Sequence, residues 1–492
     1  MQGSQAHSKL SSARHVFFVG IKGAGVVALA ELLAGEDPTR TIAGSDVDAP
    51  FYTDAILARI GVTPVPLDAP LPSGADALVY STAYPETQVQ ISAARAAGIP
   101  VWSYPEAVGE LTADRLTLAV CGTHGKTTTS ALLAHTLEAV GKSPSAIVGS
   151  LIHTWGGSAR VGQSKLLVLE ADEYQDKLRH YTPYITIITS LDHDHPDVFP
   201  TAESYEAVFE NYLKRTPRFG LVVWCRDDLR IEKLMQRLPP EIPRISYGFH
   251  PDSDLCIEDW RVAKPSERLS GLLQSWRLAS KSDVPSDCVA LRLAGRHNAC
   301  NAAAVYAVCQ ALGVSADVAA GAMATFTGTE RRFQYRGTLG GALFYDDYGH
   351  HPVEIAVTLQ AFRELFPDRR LRVFFQPHTF SRTAEFFYEF AESLTNCDEV
   401  GVVEIFGSAR EVHGGVSSQQ LVDAVNERST GVRYSIYSAP SAAKAHFYPD
   451  IEGAATYIRE TLRNGDLILT LGAGDTCKIP GILGVSLGIK TK

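Results

Sequence analysis

The chain has 492 residues, 45% hydrophobic and 20% charged, enough for several domains with separate cores. Its 55 acidic and 45 basic side chains leave a formal net charge of −10, which argues against a broad nucleic-acid surface and leaves anionic ligands to focused local sites. The eight cysteines (Cys121, Cys225, Cys256, Cys288, Cys300, Cys309, Cys397, Cys477) are scattered without a CxxC pair, which argues against a disulfide framework or a zinc site of standard spacing.

The opening MQGSQAHSKLSSARH lacks a signal-peptide apolar core, and no apolar run approaches the ~20 residues that span a bilayer. The expectation is a soluble, cytoplasmic protein with no membrane and no nucleic-acid partner. Residues 16–19 then read as a strand, followed by a glycine turn and a helix from about residue 26 to 33. Residues 78–80 and the stretch beginning at Pro100 read as further strands, and residues 105–115 as a connector. A second strand-turn-helix unit covers residues 116–121, a glycine loop and residues 127–140, with Gly141 as the stop.

Strands at 166–169 and 185–189 alternate with a helical pattern at 204–213, which favours a parallel α/β sheet. Residues 251–290 are polar and read as irregular. A second junction falls at 328–337, and strands at 343–346, 371–375, 400–405 and 467–471 alternate with helical stretches beyond it. The expected architecture is α/β in three domains: a Rossmann-like N-terminal domain (1–112), a P-loop ATPase-like parallel-sheet domain (113–329) and a C-terminal Rossmann-like α/β domain (330–492).

Two loops look like phosphate cradles. In Gly122-Thr123-His124-Gly125-Lys126-Thr127, followed by Thr128, the glycines free backbone N–H groups for an anion at a helix start. Lys126 offers a charge for the β/γ-phosphates and Thr127 a hydroxyl for Mg²⁺. The spacing is GxxGKT, lacking the first glycine of the longer Walker pattern. Gly20-Ile21-Lys22-Gly23-Ala24-Gly25, with Asp46 about twenty residues on, resembles a dinucleotide turn. Asp46 suits a ribose contact and a turn cap equally.

The acids in Glu170-Ala171-Asp172-Glu173 and the segment Asp192-His193-Asp194-His195-Pro196-Asp197 each follow a strand, the position where α/β proteins bind ligands. Carboxylates and imidazole permit zinc, but beside a GKT loop Mg²⁺ on ATP phosphates is the simpler reading. Asp346-Asp347-Tyr348-Gly349-His350-His351 and Gln376-Pro377-His378-Thr379-Phe380-Ser381-Arg382 also follow strands. Their His, Tyr and Arg side chains can orient an amino-acid carboxylate and stabilise charge at a transferring centre.

The stretches VGIKGAG, GSD, CGTHGKTTT, LEADEY, DHDHPD, GRHNACNA, RRFQYRG, DDYGHHPVE, FQPHTFSRT, IFGSARE and GAGD resemble, in this order, the Mur ligases of peptidoglycan synthesis. The resemblance covers nearly the whole chain. It implies domains for a UDP-sugar, for ATP and for an amino acid, and an activity that joins L-alanine to UDP-N-acetylmuramate through an acyl phosphate. ATP and Mg²⁺ are the implied cofactors, and a monomer or homodimer the working unit.

Carried onto this sequence, Lys126, His195, His350 and Arg382 would be catalytic, while Thr127, Glu173 and His195 would serve the metal. His297, Asn298, Asn301 and Arg331 would join the loop in binding ATP. Gly20, Gly23, Gly25 and Asp46 would hold the UDP moiety, and Tyr348, His350, His378 and Arg382 the amino-acid region. The resemblance also implies closure of the third domain, with hinges near Glu110 and Gly328. Lys22 departs from the small residue usual in the glycine turn, where it could add a phosphate contact. The later-acting family members carry a modified lysine in the helix after DHxD, where this chain has Phe209; its absence favours the L-alanine branch over them. EADEY followed by Gln175-Asp176 keeps a tripeptide-recycling ligase as the alternative, and a non-catalytic nucleotide-sugar binder as another.

Overall fold

The computed structural model describes residues 10–196, 198–268, 270–281, 288–407, 414–429 and 443–486. Three α/β bodies follow one another, each built on its own sheet. The first sheet is fully parallel, in the order Thr41–Ser45, His15–Val19, Ala77–Tyr80, Val101–Ser103. Its strands are short and almost wholly apolar because helices cover both faces.

The central sheet has ten strands. Its parallel middle runs Leu255–Val262, Arg244–Gly248, Leu221–Cys225, Ile185–Ile188, Leu116–Cys121, Leu166–Glu170, Ser145–Ile152. Antiparallel strands extend it at both edges, Gly157–Arg160 on one side and Gln274–Ser280 with Cys288–Leu291 on the other. Residues 251–290, expected to be irregular, therefore carry this extension. The alternation in Leu255–Val262 is blurred by a bulge between Glu258 and Arg261, so the period-two signal was hidden. Helices Lys126–Ala139 and Arg296–Ala311 pack together, and both are buried around most of their circumference.

The third sheet orders Gln334–Leu339, Ala342–Asp347, Asp466–Leu471, Arg370–Phe375, Glu399–Val403, Lys444–Tyr448, with only the first strand antiparallel. Among the described residues no helix is long and apolar enough to cross a membrane.

The connector expected at 105–115 is instead helix Tyr104–Ala113. Ser103 and Glu106 form a capping box and Pro105 sits in the first turn, where its missing N–H costs nothing. Glu110 lies inside this helix and accepts from Leu10 N at 2.9 Å and Trp102 Nε1 at 2.8 Å. Both partners belong to the first body, so Glu110 itself is part of that body. Glu31 ties the first body to the central sheet edge, accepting from Ser158 N (3.0 Å) and Ala159 N (2.9 Å).

Candidate active site

The strands Leu116–Cys121, Leu166–Glu170 and Ile185–Ile188 end side by side, and the chemistry-bearing segments leave from these ends. Gly122 (φ +123°) and Gly125 (φ +80°) occupy backbone conformations that suit glycine. A Cβ on Gly122 would stand 2.4 Å from Thr189 Oγ1, and one on Gly125 2.9 Å from Asn301 Oδ1. The loop is thus bare backbone packed against its neighbours. Lys126 Nζ donates to Glu173 Oε2 (2.9 Å), Gly122 O (2.6 Å) and Thr123 O (3.1 Å). Burial alone would lower its pKa, but Glu173 and Asp172 raise it above the ordinary lysine value. Thr127 donates to Glu170 Oε1 at 2.7 Å.

Glu173 is fully buried and also accepts from the Tyr205 hydroxyl at 3.0 Å. His195 Nε2 stands 3.9 Å from Glu173 Oε1, and its ring lies 4.8 Å from that of Tyr174. Asp194 beside it meets Arg382 of the third body, with Nη2 3.0 Å from Oδ1. Burial would raise the Asp194 carboxyl, yet the Arg382 guanidinium holds it well below the usual range.

From the third body, Glu354 reaches His124 Nδ1 (3.4 Å), Arg332 Nη1 (3.6 Å) and His350 Nδ1 (3.4 Å). Burial opposes its ionisation, but these neighbours hold it ionised, well below the ordinary glutamate value. Burial pushes His350 down to about 3 and His351 to about 4. Both are neutral near pH 7, so His350 acts there as a hydrogen-bonding group and not as a cation. The buried atoms His351 Nε2 and Arg382 Nε have no protein hydrogen-bond partner among the described residues.

Three cavities join at this place. One of about 170 Å³ is lined by the Lys126 loop, Glu170, Asp172, Glu173, His195, Arg332, His350 and Glu354. A second, about 220 Å³, shares His124, Gly125, Arg332 and Glu354 with it and extends past Thr128, His297, Asn298 and Asn301. The third, about 330 Å³, lies against the first body at Gly23, Gly25, Ser81 and Tyr104, and shares Lys126, Glu170 and Asp172 with the first cavity.

The structure therefore gathers Lys126, Thr127, Glu173, His195 and His350 at one cavity and His297, Asn298 and Asn301 along its extension. Gly20 and Asp46 stand behind the turn. Asp46 accepts from Lys22 N (2.6 Å) and Val47 N (2.8 Å), the cap geometry of its two readings. Lys22 Nζ is engaged by Ala49 O (2.6 Å) and Asp54 (3.3 Å) and is not presented to a phosphate. Arg331 pairs with Asp346 (3.2 Å) and Gly472 O, and its neighbour Arg332 faces the cavities. Tyr348 lies under both guanidiniums, at 5.0 and 5.2 Å. The His378 ring is 6.2 Å from that of His350 and stacks on Phe406. Phe209 is buried against Tyr205. Asp197 and residues 408–411 of IFGSARE lie outside the described residues.

Sequence reasoning did not single out Arg332, Glu354 and Tyr205, and it named Asp194 and His351 only within longer ligand-bearing segments, without a role of their own. Arg332 and Glu354 sit within quoted motifs, so adjacency was the available signal; Tyr205, one helix away, gave none.

A profile described as Mur ligase family, catalytic domain, matches residues 15–116, one for the Mur ligase middle domain matches 120–309, and one for the Mur ligase, glutamate ligase domain, matches 331–474. A UDP-N-acetylmuramate--L-alanine ligase of Desulfitobacterium hafniense (strain Y51) is 37% identical over 467 residues, 94% of this chain and 98% of its own. The chain belongs to the Mur ligase family. Another member, the UDP-N-acetylmuramate--L-alanine ligase of Treponema pallidum (strain Nichols), is 34% identical over 95% of each chain. The crystal structure of the UDP-N-acetylmuramate-alanine ligase from Thermotoga maritima shares the fold, with TM-score 0.76 at 24% identity over 96% of this chain and 98% of that one. A murein peptide ligase from Psychrobacter arcticus 273-4 superposes less closely, with TM-score 0.66 at 23% identity, covering 97% and 100%. In this Mur ligase, His195 (φ 57°), Arg331 (58°), Phe333 (49°) and Thr379 (67°) are among the non-glycine residues that hold positive φ, as do Ser143, Gln175, Asp176 and Asp259 elsewhere in the central body.

Proposed function

We propose that this chain is an ATP-dependent ligase that joins the amino group of L-alanine to the lactoyl carboxylate of UDP-N-acetylmuramate, in the cytoplasmic assembly of peptidoglycan precursors. The observation that carries the reading is the meeting of two cavities at Lys126, Glu170 and Asp172. One cavity runs to the glycine turn of the first body and the other along the phosphate cradle, so a carboxylate from one side and a γ-phosphate from the other come together there. Relatives at 31–37% identity that carry the L-alanine ligase name support this acceptor over a tripeptide.

In this reading residues 1–112 take the UDP-sugar, 113–329 take ATP and 330–492 take the amino acid. The loop Gly122, Thr123, His124, Gly125, Lys126, Thr127 and Thr128 cradles phosphates through backbone N–H groups, and Lys126 neutralises them. His297, Asn298 and Asn301 line the nucleoside end, with Arg332 nearer the phosphates than Arg331. Gly23 and Gly25 face the UDP-sugar; a Cβ on Gly25 would meet Tyr104 Oη at 2.7 Å.

The donor set beside Thr127 is hard oxygen with one imidazole, which fits Mg²⁺ held by Thr127, Glu173 and His195. Held there, such an ion would supply positive charge to offset that of the phosphates. The lactoyl carboxylate attacks the γ-phosphorus and the bond to ADP breaks, giving an acyl phosphate. The neutral alanine nitrogen then attacks the acyl carbon, phosphate leaves with the electron pair, and the nitrogen gives up one proton to the departing phosphate or to water. The protein's contribution is position and charge, because two anions 4 Å apart repel by about 4 kcal/mol at an effective dielectric of 20. His351, whose Nε2 has no protein partner among the described residues, lines the phosphate cavity, while Arg382 joins the third body to the central one through Asp194. In this reading the working unit is a monomer or a homodimer.

The test is phosphate release from ATP with UDP-N-acetylmuramate plus L-alanine, glycine, L-serine or the tripeptide. Turnover is expected with L-alanine. Release with none of them would refute ligation, and release with the tripeptide alone would select the recycling reaction.

A further inference from the structure

Cys225 and Cys300 are 75 residues apart in the chain, and neither belongs to a metal-binding motif. The fold nevertheless brings them together. Cys225 ends the buried strand Leu221–Cys225, Asp227 follows two residues on, and Cys300 lies in the second turn of helix Arg296–Ala311. The two Sγ atoms and an Asp227 carboxylate oxygen all lie within 4.8 Å of one another. Cys300 Sγ is 3.7 Å from Asp227 Oδ2. Among the described residues this is the one group of three such ligands drawn so close.

The bond lengths of a tetrahedral zinc site put its ligand atoms about 3.5–3.8 Å apart, so closing the triad on an ion takes shifts of no more than about 1 Å. The carboxylate is already oriented: Oδ2 accepts from Phe249 N and Oδ1 from His250 N, each at 2.8 Å. That leaves lone pairs for an ion and supplies the outer-shell support that metal ligands usually have. The Cys225 thiol beside it and burial raise the Cys300 thiol well above its ordinary value. Without an ion this thiol stays protonated, and binding one displaces the proton.

We propose that Cys225, Asp227 and Cys300 form a binding site for a thiophilic divalent cation such as Zn²⁺, distinct from the Mg²⁺ site at Thr127. Two sulfurs and one oxygen disfavour Mg²⁺ and favour Zn²⁺ or Co²⁺. All three residues line the 220 Å³ cavity that also holds His297, Asn298 and Asn301, so the fourth coordination position opens into it. An ion there occupies the nucleoside end of the ATP track, and Zn²⁺ acts as a competitor of ATP. This last consequence rests on the proposed nucleotide reading; the metal site itself does not.

The experiment is titration of the full-length protein, kept reduced with a phosphine, with Co²⁺ alone. One equivalent should bind with a sulfur-to-cobalt charge-transfer band and the visible bands of a tetrahedral ion, and Zn²⁺ should bleach both. Cys225→Ser and Cys300→Ser should each abolish the charge-transfer band of the bound form or shift it. Asp227→Asn, a change at an exposed side chain, should keep a thiolate band but weaken binding by on the order of tenfold or more. No charge-transfer band, or a band unchanged in both cysteine variants, overturns the site. With the band established, excess adenylyl imidodiphosphate should displace the ion. A band that survives saturating analogue overturns the competition, while nucleotide binding, followed separately by calorimetry without Co²⁺, tests the ATP reading independently.

Discussion

Replacing Arg382 with alanine removes an ion pair between the third body and the central one, which also meet where Glu354 reaches His124. The pair is enclosed, with side-chain exposures of 10% and 8% for Arg382 and Asp194, so the change leaves a carboxylate buried without its counter-charge. Such a loss costs about 3–5 kcal/mol. Because the two partners belong to different bodies, the cost falls on the closed arrangement and not on the folding of either body. At 1.4 kcal/mol per decade, 3 kcal/mol is on the order of 100-fold in the ratio of closed to open molecules, and an equal fall in the closed population where the closed form is not in large excess. The expected result is a larger radius of gyration in small-angle scattering and turnover lowered by about that factor, with Tm moving by less than about 2 °C. Removing Asp194 as well eliminates the orphaned carboxylate, so Arg382→Ala with Asp194→Ala should be more closed than Arg382→Ala alone, a coupling of at least about 1 kcal/mol. An unchanged radius in the single variant, or a double variant as open as the single, would refute this reasoning.

Gly125→Ala forces a side chain at φ +80° against Asn301 Oδ1; it should destabilise the protein by about 1 kcal/mol or more and weaken binding of an ATP analogue, measured by thermal melting and calorimetry. Gly25→Ala, whose Cβ would meet Tyr104 Oη at 2.7 Å, should raise KM for UDP-N-acetylmuramate while leaving the affinity for ATP within about twofold; an equal effect on both would contradict separate cavities. His351, 4% exposed, has its pKa pushed down to about 4 by burial first and by His124 next. The unfolded chain binds the extra proton first, so this stability is present above pH 6.5 and is lost as pH falls from 6.5 to 4, on the order of 3 kcal/mol. His351→Asn, which can still cap the helix it starts, should flatten the denaturant midpoint over that window; an unchanged pH slope would be evidence against a neutral buried imidazole. Chelating divalent cations should abolish phosphate release with the fold intact by circular dichroism.

Much of this protein was legible as pattern. Strand ends followed by glycine loops, acids or histidines place ligand groups at the carboxyl edge of parallel sheets, because side chains there leave the sheet without competing for packing. That logic picked out Lys126, Thr127 and the segments that hold Glu173, His195 and His350, which the fold gathers at one cavity; the separate roles of those three came from the family resemblance. It failed where local signals were weak, as at the bulged strand Leu255–Val262 and the capped helix Tyr104–Ala113.

Other features depend on distance in space. Which of two adjacent arginines faces the cavity follows from the positive φ at Arg331 and its capture by Asp346. The neutrality of His350 follows from burial, and the Cys225–Cys300 approach from packing one helix on one strand. Sequence alone determined the residue types and the strand-to-loop transitions that carry the chemistry, since these depend on neighbours a few positions away. Only the tertiary structure decided which groups share a cavity, which are occupied with one another and which remain protonated, because those outcomes depend on desolvation and on contacts between residues far apart in the chain.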